Sequence, residues 1–157
     1  MYFLTVAKLL PLLLFIGAGF FFMEPKNFQL THMPTFSSFS STVLLLVFAF
    51  GGFESVLVNS GEVKNPAKNL PFALLLAALV IATIYILIQL VSIGTLPSLA
   101  TSGKPLAEAA GLFMGKTGAT LITLGALFSV TGTLNAIMLV GSRLPYAFSE
   151  ENQFPQL

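Results

Sequence analysis

Aspartate, cysteine and tryptophan are all missing from this 157-residue chain, and charged residues of any kind make up only 8% of it. Without cysteine there is no disulfide, no thiolate metal site and no thiol nucleophile. Without tryptophan, only Tyr and Phe remain to anchor a chain at a membrane surface. The scarcity of charge matters most. A soluble domain is about 25% charged, whereas this chain is 55% hydrophobic and belongs in a bilayer. The net charge of +1 gives no sign of a nucleic-acid partner. His32, the single histidine, lies in a polar connector and cannot make a metal site alone. No nucleophile–base pair, metal-ligand cluster or phosphate loop is present, so the sequence points to neither an enzyme nor a cofactor. The N-terminus does not read as a signal peptide, because Lys8 falls inside the apolar run and no small-residue cleavage site precedes Glu24.

The apolar runs predict an all-α membrane protein with four transmembrane helices, over about residues 2–23, 42–61, 72–96 and 117–148. The first would be about 33 Å long, enough to cross a ~30 Å hydrocarbon core. It carries Lys8 near one end and Pro11 a turn later. Residues 24–41 read as a polar connector, with Ser40 or Ser41 available to cap the second span. In EVKNPAKNLP (residues 62–71), Pro66 disfavours helical geometry at Asn65, and Pro71 suits the first turn of a third span capped by Asn69. That span is uncharged, with Tyr85, Gln89 and Ser92 as its polar points. Residues 97–116 form a second connector, in which PLAEAAGLFMG reads as a short amphipathic helix. On the fourth span Gly118, Gly125, Ser129, Gly132 and Ala136 make one small-residue face for close packing.

The second span contains the most informative stretch, FAFGGFE, from Phe48 to Glu54. Each glycine costs a helix interior about 1 kcal/mol relative to alanine. An ionised carboxylate near the bilayer centre costs roughly 2–3 kcal/mol or more. A plain anchor would contain neither. Irregular backbone at membrane depth is tolerated where it is buried in protein or lines a cavity. The segment therefore predicts a discontinuous helix that belongs to a transport site.

FAFGGFE followed by NSGEVKNPAKNLPFAL resembles the amino acid–polyamine–organocation (APC) transporter superfamily, nearest its cationic-amino-acid-transporter-like and proton-coupled permeases. FSVTGTLNAIMLVGSRLPYAFSEENQFP (residues 128–155) is similar to that family's eighth span and the loop after it. The two signatures are correctly ordered along the chain. The resemblance implies a partial permease domain over residues 1–157, spans five to eight of about twelve in a LeuT-like inverted-repeat fold. It implies that the chain is a piece, lacking the family's first and third spans, and that Met1 falls within a helix. It also implies an inner or plasma membrane location, with both termini and the residue 62–71 loop cytoplasmic. The charges alone do not orient the chain. Lys8, Lys64, Lys68 and Arg143 on one side stand against Lys26, Lys104 and Lys116 on the other.

Carried over residue by residue, the resemblance makes Phe48 an aromatic gate over the substrate. Ala49, Phe50, Gly51 and Gly52 become the unwound segment that meets an amino acid through its backbone, and Phe53 lines the pocket. Glu54 matches a frequent acidic position that either holds the second half-helix or takes part in proton coupling. Lys8 matches a lysine that, in proton-coupled relatives, fills the place of a sodium ion in sodium-coupled ones, and Ser129 and Thr131 match its neighbours. The bland readings are a glycine kink packed against a helix, a lysine reaching to the interface, and hydroxyls that join helices.

The sequence thus implies a fragment of a secondary-active amino acid transporter, with an amino acid, protons, the bilayer, and missing transporter helices or a second copy of the chain as partners. The alternative is a non-transporting four-helix module or truncated gene product that packs with other helices. The flanking DNA distinguishes them: in-frame coding sequence for four upstream spans is expected, and an intact, independently expressed four-span gene would favour the module.

Overall fold

A computed structural model describes residues 2–29, 35–52 and 63–150. These are helical, with no strand among them: α1 (Tyr2–Gly19), α2 (Phe36–Ala49), α3 (Pro66–Thr95) and α4 (Pro105–Glu150), with 3-10 turns at Phe20–Phe22, Pro25–Phe28 and Leu99–Thr101. Thr5–Phe22, Pro66–Thr95 and Pro105–Ser142 are long and apolar enough to cross a membrane, whereas Phe36–Ala49 is a shorter apolar helix. The chain divides into two compact units. One is Met1–Gln29 with Val80–Ile137, and the other is Leu30–Leu79 with Met138–Leu157.

In the first unit, α1 continues through Pro11 without a break. Phe15 is fully buried in a core with Val91, Leu96, Ala109, Ala110 and Ile122. Phe113 joins this core to the end of α1, its ring 5.5 Å from that of Phe15 and stacked at 5.7 Å on that of Phe22. Pro11 is buried on the small-residue face of α4, where a Cβ at Gly125 would come 2.9 Å from the proline Cγ. The contacts run Pro11 to Gly125, then Phe15 and Phe22 to Phe113, so the C-terminal end of α1 lies beside the N-terminal end of α4. Lipid is as apolar as leucine, so what favours these contacts is close packing rather than escape from water.

α4 contains a real break. Gly115 has φ 66° and ψ −161°, which separates a short helix over residues 105–114 from the long one that follows. The short helix starts on a local network: the Lys104 N–H donates to Ser102 Oγ, and that hydroxyl donates to Glu108 Oε2 at 2.6 Å. Glu108 in the first turn also complements the positive end of the helix.

In the second unit, α2 starts at Phe36, six residues before the expected start at Thr42. Thr35, rather than Ser40 or Ser41, is the cap, its hydroxyl accepting from the Ser38 N–H at 3.3 Å. Ser41 and Thr42 donate their hydroxyls to the Ser37 and Ser38 carbonyls, at 3.0 and 2.9 Å. The Ser/Thr cluster therefore satisfies itself within a helix instead of forming a loop. α3 likewise begins at Pro66, with Asn65 at φ 50° before it. Pro66 takes the first-turn position expected of Pro71. Asn69 lies inside the helix, donating its side-chain amide back to the Lys64 carbonyl.

Truncating the side chain at the centre of the first unit removes contacts from both α1 and α4. Phe15→Ala is expected to lower stability by roughly 3 kcal/mol, read as an earlier unfolding transition in detergent, while an exposed control such as Leu13→Ala shifts it little.

Candidate functional site: the end of α2

α2 by itself is shorter than a span needs. Its 14 residues make a helix of about 21 Å, short of a ~30 Å hydrocarbon core. Ala49 is its last residue and Phe50 its C-cap, at φ −91° and ψ −4°. The Phe50 N–H still donates to the Leu46 carbonyl at 3.1 Å, but the Gly51 N–H donates one residue tighter, to the Phe48 carbonyl at 3.1 Å. Gly52 then takes φ 99°. L side chains rarely adopt that geometry, so position 52 requires glycine for its backbone. At Gly51 the demand is spatial, since a Cβ would come 3.2 Å from the Phe48 carbonyl oxygen. The two glycines thus do separate work: one lets the chain close against the helix end, and the other turns it away.

Phe48 is 86% exposed and Phe50 36%, and Ala49, Gly51 and Gly52 are exposed as well. The turn is open to whatever lies outside this chain. Phe53, Glu54 and His32 lie outside the described residues.

The other candidate residues lie in the first unit. Lys8 is half-buried on α1, one turn before Pro11. Ser129, also half-buried, is one turn beyond Gly125 on α4. Pro11 and Gly125 are in contact, and no contact joins Lys8 to Ser129 among those the structure describes. Thr131 does not share the face of Ser129. Two residues on, it is rotated by about 200° on a regular helix, and its exposed hydroxyl donates to the Leu127 carbonyl at 2.9 Å. Among the described residues no group of three His, Cys, Asp or Glu could hold a metal. An open groove of about 460 Å³ lies along the Gly115 bend, lined by Lys104, Glu108, Gly111 and Thr120 among others.

Sequence reasoning missed three structural positions. Thr35 was hidden in a polar run, and the Pro11–Gly125 contact has no signature before the helices meet. The pair Gly19 and Gly94 had at most the small-residue stretch Gly17–Ala18–Gly19 as its signal.

A chain with three helices of spanning length and so much apolar side chain exposed is an integral membrane protein. The amino acid permease family model matches it over residues 1–157, and the chain belongs to that family. It is 30% identical to the branched-chain amino acid permease BcaP of Bacillus subtilis over 97% of its own length and 33% of the relative's. The methylthioribose transporter of the same organism is also 30% identical, over 98% of this chain and 34% of the relative. For the serine/threonine exchanger SteT, again from B. subtilis, the identity is 30% over 96% of this chain and 35% of the relative. The chain therefore spans about a third of the length of these relatives, which are permeases and transporters rather than enzymes.

Gly52→Ala is expected to cost about 1–2 kcal/mol, the penalty of forcing a Cβ into left-handed backbone. Gly17→Ala, at an open helical position with nothing within 4 Å, should be neutral or slightly stabilising. Paired unfolding midpoints in detergent check the contrast.

Proposed function

We propose that this chain forms part of the substrate site of a secondary-active amino acid transporter that works by alternating access. The observation that carries the reading is the end of α2 at Ala49, inside an apolar stretch, with Gly52 at φ 99°. Stopping a helix at membrane depth aims the negative end of its dipole at whatever binds there. A second half-helix starting beyond the break would bring amide groups and the opposite dipole end. Together they suit the ammonium and carboxylate of an α-amino acid. On this reading Phe48 closes over the substrate, Ala49 to Gly52 present backbone, and Phe53 lines the pocket.

Coupling to protons is the finer part of the proposal. Lys8, near one end of the apolar α1, is the first titratable group in this role. Glu54 is the second titratable group in this role. Thr131, on the other face of α4, is available to a helix outside this chain. Both termini are cytoplasmic in this arrangement. The names of the relatives favour a neutral amino acid, with the methylthioribose transporter a reminder that the family's substrates extend further.

The test uses a full-length permease carrying residues 1–157, for instance with the aligned stretch of SteT exchanged for them. Saturable amino acid uptake is expected, and Gly52→Leu should abolish it while leaving membrane expression intact. Normal uptake by that variant would remove the site from the break. Lys8→Ala and Glu54→Gln should each lower proton-driven uptake at least tenfold. Unchanged pH-dependent uptake in both would end the coupling proposal and leave the binding site standing.

A further inference from the structure

The C-terminal ends of α1 and α3 meet in an unusually close way. Gly19 of α1 lies against Val91 of α3, so close that a Cβ at position 19 would overlap the valine Cγ1 and come 2.9 Å from the Phe113 ring. One turn on, the relation reverses. A Cβ at Gly94 of α3 would lie 2.8 Å from Met23 Cγ and 3.0 Å from Met23 Cβ. α1 thus offers a glycine to a side chain of α3, and α3 offers one to Met23 in the segment that leaves α1.

The same point is bonded as well as packed. The Gly94 carbonyl is among the last four of α3, which no intrahelical amide can satisfy. It accepts from the Glu24 N–H at 2.9 Å and from Asn27 Nδ2 at 2.8 Å. Both donors come from the segment that leaves α1, so the end of one helix completes the end of the other. The neighbouring Lys26–Glu24 ion pair is 71% and 56% exposed and adds little, as exposed pairs do. The fastening lies in the glycines and the carbonyl. Phe113 then covers it, touching both Phe15 and Phe22.

We propose that the C-terminal ends of α1 and α3 are fastened into a single body that stays closed throughout the transport cycle, with Gly19, Gly94 and Asn27 as its positioning residues. Parting them would strip a carbonyl of both donors and would leave two glycine-shaped gaps that neither helix can fill from its own side chains. Motion in this half of the molecule has to occur elsewhere along the two helices. The transport part of the proposal rests on the permease reading above, whereas the fastening itself does not.

A cysteine pair tests both parts separately, and the chain's lack of native cysteine keeps the background clean. Met23→Cys with Gly94→Cys removes the bulky neighbour of position 94 and sets two Cβ atoms close to the 3.5–4.5 Å typical of disulfides. The pair is placed in a full-length permease carrying residues 1–157, with host cysteines changed to serine. Mild oxidation should cross-link most of the protein, and Gly19→Leu on the same background should lower the yield severalfold. Uptake should be the same, within about twofold, before oxidation, after it, and after reduction. Failure to cross-link, with both thiols still open to alkylation, would overturn the fastening. Uptake lost on oxidation and restored by reduction would show that the ends must part, and would overturn the single body. Absence of uptake in the reduced protein would count against the permease reading instead, leaving cross-linking to judge the fastening.

Discussion

A backbone in hydrocarbon has no water to turn to, so every place where a helix stops must provide its own hydrogen-bond partners. That constraint organises the described part of this protein. Three of the points where the described ladders stop or bend lie at or beside a glycine, and each is resolved differently. After Ala49 the chain tightens by one residue and turns away at Gly52. Near the end of α3 the Gly94 carbonyl takes two donors from a neighbouring segment. At Gly115 a single left-handed residue redirects the chain from a short helix into a long one. The turn after Ala49 and the bend at Gly115 are both exposed, whereas Gly94 is buried.

The features legible in the sequence were those governed by local backbone chemistry. Paired glycines in an apolar run marked the end of α2, and the PLAEAAGLFMG pattern marked the short helix before Gly115. Asn65 before Pro66 marked a chain that cannot be helical there. The misreadings have a common cause. Ser37 to Thr42 counted as polar, yet they lie inside α2, where the Ser41 and Thr42 hydroxyls donate to carbonyls one turn back. Pro71 looked like a first-turn proline because Pro66 had been given only its effect on the preceding residue. Both errors shortened helices at their N-terminal ends. What no reading of one chain could supply were contacts between helices: Pro11 on Gly125, Val91 on Gly19 and Met23 on Gly94 depend on registers that exist only after packing. The same limit applies to the candidate site. The turn at residues 49–52 was visible, whereas the contact of Pro11 with Gly125 depends on how α1 meets α4.

The two units differ in how much they bury. One holds nearly all of the buried core and is tied together by aromatic stacking, glycine contacts and a doubly accepted carbonyl. The other contributes α2, almost wholly exposed, whose end is shaped by backbone alone. The sparse burial is in keeping with a chain spanning about a third of the length of its relatives, since lipid and further helices are the natural cover for the apolar side chains left outside.

One property of α3 reaches beyond the protein itself. The helix has 30 residues, about 45 Å of rise, and its uncharged portion from Phe72 onward alone amounts to about 36 Å against a hydrocarbon layer of ~30 Å. A rod longer than its solvent is thick must lean, or draw the surrounding lipids into a deeper annulus. The protein should therefore sense the thickness of its host bilayer, sitting more upright in long-chain or sterol-rich lipid and more inclined in short-chain lipid.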